Sequence, residues 1–222
     1  MDKEMKLTFD KEYYSKEDYF YHIYNNLGCK DLSLQCSFTD PDGEVFFSKR
    51  LRYDELMKYD QDEYIPYVKM KRKDFVLKAT HRTILDIEIM FDIDDLWDLK
   101  TFFEYDIYDG IDQRVCYNKV PEFESIKAKS KWIYDELKAL GFDVCVHWTQ
   151  NKSYHINVLV PTLRRYPKAY RRYIKRQILW RYGADMQKDV DTQLIAIEGC
   201  PHYRSNKEKI QVFFGDSREH DL

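Results

Sequence analysis

Carboxylates are the side chains whose spacing in this chain first suggests chemistry. Asp92 and Asp94 close an apolar run, Ile89-Met90-Phe91-Asp92-Ile93-Asp94. Residues i and i+2 of a strand point to one side with Cα atoms roughly 6.5 Å apart, so such a pair can bridge two divalent cations held ~3.5 to 4 Å apart. Magnesium or manganese suits these oxygen ligands. A second pair, Asp86 and Glu88, lies upstream in the same alternation. The longer apolar run before Asp92, with Asp95 and a helix start after Asp94, favours Asp92 and Asp94. His155 follows in Ser153-Tyr154-His155, where Tyr154, Ile156, Val158 and Val160 alternate as an apolar face. That leaves Ser153, His155 and Asn157 on the opposite, polar face at the mouth of a hairpin. Asp191, in KDVDTQLIAIEG, stands just ahead of a further apolar strand, a position equally suited to a turn residue. The loop after it offers His202, Arg204, Ser205 and Lys207, donors suited to phosphate oxygens and equally to solvent.

The elements that must position these residues mix strands and helices. Leu85 to Asp94 alternates apolar odd positions (Ile87, Ile89, Phe91, Ile93) with mostly acidic even ones, which predicts a strand with one core face and one acidic face. Phe142–Trp148 and Ser153–Val160 read as two strands joined by Thr149-Gln150-Asn151-Lys152, with Pro161 as the stop. Leu32–Phe38 and Glu44–Ser48 read as another hairpin around Asp40-Pro41-Asp42-Gly43. Helices are expected over 11–26, 53–59, 96–105, 123–140 (with Gly141 as stop) and 167–182, and further strands over 64–81, 193–198 and 211–214. The fold class is α+β. No linker interrupts the 222 residues, so a single domain is expected, softly divided into an N-terminal module (1–80) and a second module (81–222).

Composition narrows the function classes. With 44% hydrophobic and 34% charged residues and only 7 Gly and 6 Pro, the chain can bury a core and is not low-complexity. Lys+Arg 36 against Asp+Glu 39 gives a net charge of −3, which argues against binding nucleic acid by bulk charge alone. The charge is nevertheless polarised. Ile84 to Gln113 holds ten acids and one base, whereas Leu163 to Tyr182 holds eight bases (Arg164, Arg165, Lys168, Arg171, Arg172, Lys175, Arg176, Arg181) and no acid. Five cysteines without a CxxC pair predict reduced thiols, with neither a disulfide framework nor a structural zinc. Without an apolar run of ~18 residues, or an apolar N-terminal stretch of the secretory kind, a soluble intracellular protein with no membrane partner is expected.

Taken in order, the apolar run ending in Asp-x-Asp, the Ser-x-His strand and the Asp ahead of an apolar strand resemble the archaeo-eukaryotic primase superfamily. Its catalytic centre is defined by hhhDhD, sxH and hD. The matching residues are Ile89 to Asp94, Ser153 to His155, and Val190-Asp191, separated by 61 and 36 residues. LRYDELMKY, IMFDIDDL and GFDVCVHWTQNKSYHINVLVP are similar to the text around the first two motifs, and the resemblance covers roughly 44–215. Two departures are plain. No Cys/His knuckle is present, and Glu198-Gly199-Cys200-Pro201-His202 stands where the family carries an Arg-x-Pro-Gly-Ser-x-His type loop. Both point toward a compact, divergent member of the plasmid, viral or repair type.

The resemblance implies an N-terminal α/β module packed on a catalytic module like an RNA recognition motif. It implies primer synthesis or extension by template-directed nucleotidyl transfer, in which a 3′-hydroxyl attacks the α-phosphate of a nucleoside triphosphate. Asp92, Asp94 and Asp191 would hold two Mg2+ or Mn2+ ions, and Ser153, His155, Arg204 and Lys207 would contact the triphosphate. Arg164, Arg165, Arg171, Arg172, Lys175 and Arg176 would neutralise phosphates of a single-stranded DNA template, with Tyr166, Tyr170 and Tyr173 interleaved for packing or base stacking. A helicase or a primase large subunit is a candidate further partner. The residues alone leave two alternatives open: a metal-dependent nuclease or replication-initiator endonuclease, and a non-catalytic nucleic-acid-binding module.

Overall fold

Among the described residues, the alternation of apolar and polar residues builds two antiparallel sheets with few helices, a mixed α+β fold. The computed structural model describes residues 21–39, 42, 44–47, 50–56, 76–94, 96, 122–197 and 207–214. The chain divides into two compact units: Met1–Asp86, Thr149–Asn151 and Asp191–Gln211 form the first, and Ile87–Trp148, Lys152–Val190 and Val212–Leu222 form the second.

In the first unit, β1 (Ser33–Thr39) and β2 (Val45–Phe47) form the expected hairpin, antiparallel, with Ser37 opposite Phe47. β3 (Leu51–Arg52) also pairs with β1 and leads into a one-turn helix, α1 (Tyr53–Leu56). β4 (Val76–Thr83) runs antiparallel to β1 and, on its other side, to β8 (Leu194–Ala196). Ile23, Leu32, Leu34, Tyr53, Ile84, Leu85, Ile195 and Ile197 are buried in this unit. The expected strand 64–81 is described only from Val76. The expected helix 96–105, beyond residue 96, and the expected helix 11–26 up to residue 20 lie outside the described residues.

The second unit has the order strand, helix, strand, strand, helix. β5 (Glu88–Ile93) is followed by α2 (Ile126–Ala139), β6 (Val144–Trp148), β7 (Tyr154–Leu159) and α3 (Lys168–Arg181). The unit's strands lie in the order β5-β7-β6. Because β7 is antiparallel to both β5 and β6, those two are parallel to each other, with α2 as their crossover and β7 inserted between them. β5 starts at Glu88 rather than Leu85, because the chain turns at Asp86 and Ile87 on leaving the first sheet. α2 starts at Ile126 rather than 123, because the Ser125 side chain accepts from the Ala128 N–H at 3.1 Å and fixes the N-terminus there. Its end matches expectation: Gly141 takes φ 84°, and the Phe142 N–H reaches back to the Leu137 carbonyl at 3.1 Å.

One face of this sheet carries the core. Ile89, Phe91 and Ile93 of β5 pack with Val146, Ile156 and Val158, beneath Ile133 and Leu137 of α2 and Leu179 of α3. Phe91 is fully buried and meets the Tyr182 ring edge-on at 5.6 Å. The other face carries the side chains with chemistry.

Candidate active site on the polar face of the second sheet

Strand periodicity puts Glu88, Met90 and Asp92 of β5 on the face away from the core, with His155 and Asn157 of β7 and Cys145 and His147 of β6. The register aligns them in rows. Asp92 lies directly opposite His155, and His155 directly opposite His147; the next row is Met90, Asn157 and Cys145. Residues 63 apart in sequence therefore meet side by side. His155 Nε2 stands 3.5 Å from Asp92 Oδ1.

The acidic face expected of β5 is buried in the structure rather than bathed in solvent. Glu88 is 0% exposed, and Asn157, His147, His155 and Ser153 are buried as well. The Glu88 carboxylate accepts from Asn157 Nδ2 at 2.5 Å, so this acid belongs to an internal hydrogen bond.

Asp92 also meets a residue that sequence reasoning missed. Lys188, in the short 3₁₀ turn Met186–Asp189, places Nζ 3.2 Å from Asp92 Oδ2 and 3.7 Å from Asp185 Oδ2. The turn is held in place because the Asp185 N–H donates to the Asp92 carbonyl at 3.2 Å and the Asp185 side chain accepts from the Gln187 N–H at 2.8 Å. No periodicity marks Lys188; its neighbour Asp185 at the head of the turn is the one local signal. Asp94 has a different partner: Lys152 Nζ at 2.6 Å, on the hairpin turn, in a pair whose side chains are 65% and 35% exposed. An exposed pair of this kind contributes little and yields readily to another ligand. The Lys188–Asp92 pair, with side chains 11% and 16% exposed, does not.

The fit of a divalent ion turns on the donors available. Asp92 Oδ1 is a buried oxygen that accepts no hydrogen bond among the described residues, and a carboxylate oxygen suits Mg2+ or Mn2+. Asp94, two residues on, is the second carboxylate. The expected third, Asp191, belongs to the first unit, so the second unit by itself supplies two. Among the described residues, no group of three or more His, Cys, Asp or Glu converges as metal ligands. The donor chemistry fits an ion at Asp92 and Asp94, with two lysines holding counter-charge beside them.

The remaining expected residues scatter. Lys207 is exposed, and Arg204 lies outside the described residues. Of the basic segment, Arg164 and Arg165 in the 3₁₀ turn Pro161–Arg165 and Arg172 on α3 are exposed, and Arg171 and Arg176 are half-buried. Lys175 corrects the expectation. It is 0% exposed, because it stands one turn before the buried Leu179 on the inward stripe of α3, and it cannot face a template phosphate there. Arg172 Nε donates to Asp189 Oδ2 at 3.1 Å, and Arg171 Nη1 to the Tyr166 carbonyl at 2.9 Å.

No described helix is long and apolar enough to cross a membrane. No protein-family model matches the chain. No curated protein matches it either. Among solved structures it is similar to the crystal structure of primase RepB′, at 14% sequence identity and a TM-score of 0.40, over 85% of this chain and 51% of that one. The chain thus spans about half the length of that protein.

Proposed function

We propose that the second unit is the catalytic module of a primase or primase-polymerase, built like an RNA recognition motif and transferring nucleotidyl groups on a single-stranded template. One observation carries this reading. The two motifs that the resemblance requires in one centre, Asp-x-Asp and Ser-x-His, lie on adjacent strands with Asp92 and His155 in direct register. Chance matches to two short patterns 61 residues apart have no reason to be paired in the sheet.

Asp92 and Asp94 would hold Mg2+ or Mn2+, with Asp191 as the expected third ligand; bound there, such ions activate a 3′-hydroxyl and offset charge on the leaving pyrophosphate. The chain's own residues divide the rest of the work. Lys188 keeps a cation beside Asp92 and supplies a donor for triphosphate oxygens. His155, buried between Asp92 and His147 in the sheet, would contact the triphosphate together with Ser153. Lys152, exposed on the hairpin turn, can leave Asp94 when a ligand arrives. Arg204 and Lys207 remain the proposed further phosphate ligands. Such chemistry needs positioning and charge neutralisation more than a protein nucleophile.

A second reading, metal-dependent phosphodiester cleavage, is favoured by the juxtaposition of His147 and His155, since paired imidazoles beside a carboxylate also serve strand scission. One experiment separates the two: the full chain is incubated with labelled nucleoside triphosphates, an unprimed single-stranded DNA and Mg2+ or Mn2+. Template-dependent products support nucleotidyl transfer, and a shortened template supports cleavage. If neither forms, only a binding module remains.

A further inference from the structure

Tyr166, Tyr170 and Tyr173 form a continuous aromatic ladder on the outside of the second unit. Their ring centroids are 5.3 and 6.2 Å apart, the second pair stacked at 26° between planes. Each side chain is large, yet the three residues are 43%, 51% and 49% exposed. Apolar bulk of this size is ordinarily turned inward. Here the helix phase turns it out: Tyr170 and Tyr173 are i and i+3 neighbours, while Lys175 and Leu179 take the inward stripe. The Tyr166 turn is fixed by the Arg171 guanidinium on its carbonyl, and Tyr166 is the last rung.

The charge beside the ladder is mainly positive, although Arg172 Nε donates to the Asp189 carboxylate at 3.1 Å. Arg165, Lys168 and Arg172 are exposed beside it, and the segment from Leu163 to Tyr182 contains no acid. Arg165 and Lys168 make no ion pair among the described residues. A protein-docking patch or a buried interface would favour apolar residues between the rings. Alternating cations and half-exposed rings instead match a polyanion that carries flat faces at regular intervals.

We infer that this ladder is a binding track for single-stranded nucleic acid, with bases stacking on Tyr166, Tyr170 and Tyr173 and phosphates paired to Arg165, Lys168 and Arg172. Single strands expose base faces that a duplex hides, and aromatic stacking tolerates any base, so the track is sequence-independent. The identity of the strand as a template rests on the proposed function; the binding itself does not.

The test measures fluorescence anisotropy of the full chain with a labelled mixed-sequence single strand of about 16 nucleotides, the upper site size of a single-strand binding fold, and with an abasic strand of equal length. Triphosphate is left out and a chelator is present. Because no turnover is read, failure of the nucleotidyl-transfer reading leaves this result untouched, and the converse holds. Wild type should bind the base-bearing strand at least about 10-fold more tightly than the abasic one. Tyr170→Ala with Tyr173→Ala should lose roughly 5- to 150-fold per ring on the base-bearing strand. The same pair should change abasic binding less than about two-fold, while Tyr170→Phe with Tyr173→Phe should bind as wild type. Equal affinity of the wild type for both strands would overturn the inference, and needs no variant to fold. So would equal losses on both strands in the alanine pair, which would mark the rings as structural.

Discussion

Lys188→Met removes an ammonium and keeps an unbranched stem, so it isolates the charge beside Asp92. At 3.2 Å and an effective dielectric of about 20, the gross attraction to Asp92 is about 5 kcal/mol. Desolvation offsets part of it, and Asp185 at 3.7 Å adds to what the ammonium holds. Losing one partner of a largely buried pair leaves the other charge uncompensated, for a cost of about 3 kcal/mol. For a chain of this size that corresponds to a melting temperature lower by roughly 6 to 12 °C. The assay is thermal unfolding followed by circular dichroism at neutral pH, with and without millimolar Mn2+. A divalent ion that binds only the folded state raises stability with its concentration, and the rise should be larger in Lys188→Met, where no ammonium competes for Asp92. Asp92→Asn should abolish that difference. The reasoning is refuted if Lys188→Met costs less than about 1 kcal/mol. It is refuted equally if Lys188→Met and Asp92→Asn add independently in a double-mutant cycle, since groups that touch couple by roughly 0.5 to 3 kcal/mol.

Other consequences are simpler to read. Ser125→Ala deletes the oxygen that accepts from the Ala128 N–H and should cost about 1 kcal/mol in urea unfolding, with Ser125→Asp retaining most of it. Burial raises the Tyr154 and Tyr182 hydroxyls above the usual value of 10, so both must be deprotonated against their folded environment. The stability this carries is intact below about pH 10 and falls as pH rises beyond it, and Tyr154→Phe should flatten that alkaline loss in melts taken at high pH. Charge reversal of Arg165, Lys168 and Arg172 together should lower the salt dependence of single-strand binding by a slope of roughly 0.7 for each phosphate no longer neutralised. An unchanged slope would mark that surface as merely solvated.

Much of the second unit was legible because alternation and turn chemistry are local. The hairpin of β6 and β7, the Gly141 stop and the core face of β5 follow from residues within a few positions of each other. Pairing of β5 with β7 was not legible, since it joins residues 63 positions apart, and with it went the Asp92–His155–His147 row. Alternation could put Glu88 on the polar side of its own strand and His155 and Asn157 on the polar side of theirs, but not that these residues are buried. Lys175 was readable in principle: its i+4 partner Leu179 places it on the inward stripe, but the uniform run of bases masked the phase. Lys188 lies in a 3₁₀ turn too short to carry a period. Asp191 leads into a strand as expected, but β8 joins the first sheet rather than the sheet of Asp92.

The central claim is that Asp92, and not simply any acid on β5, carries the chemistry, and the rate of template-directed nucleotide incorporation tests it most directly. Asp92→Asn is compared with Glu88→Gln, a change on the same strand and face whose carboxylate serves an internal hydrogen bond to Asn157. Both proteins are first checked for a native circular dichroism spectrum. Asp92→Asn should lose of order 10² to 10⁴ in rate in Mg2+ or Mn2+, by analogy with the loss of other electrostatic stabilisers, while folded Glu88→Gln keeps most of it. Full activity in Asp92→Asn, or the larger loss in Glu88→Gln, would contradict the account.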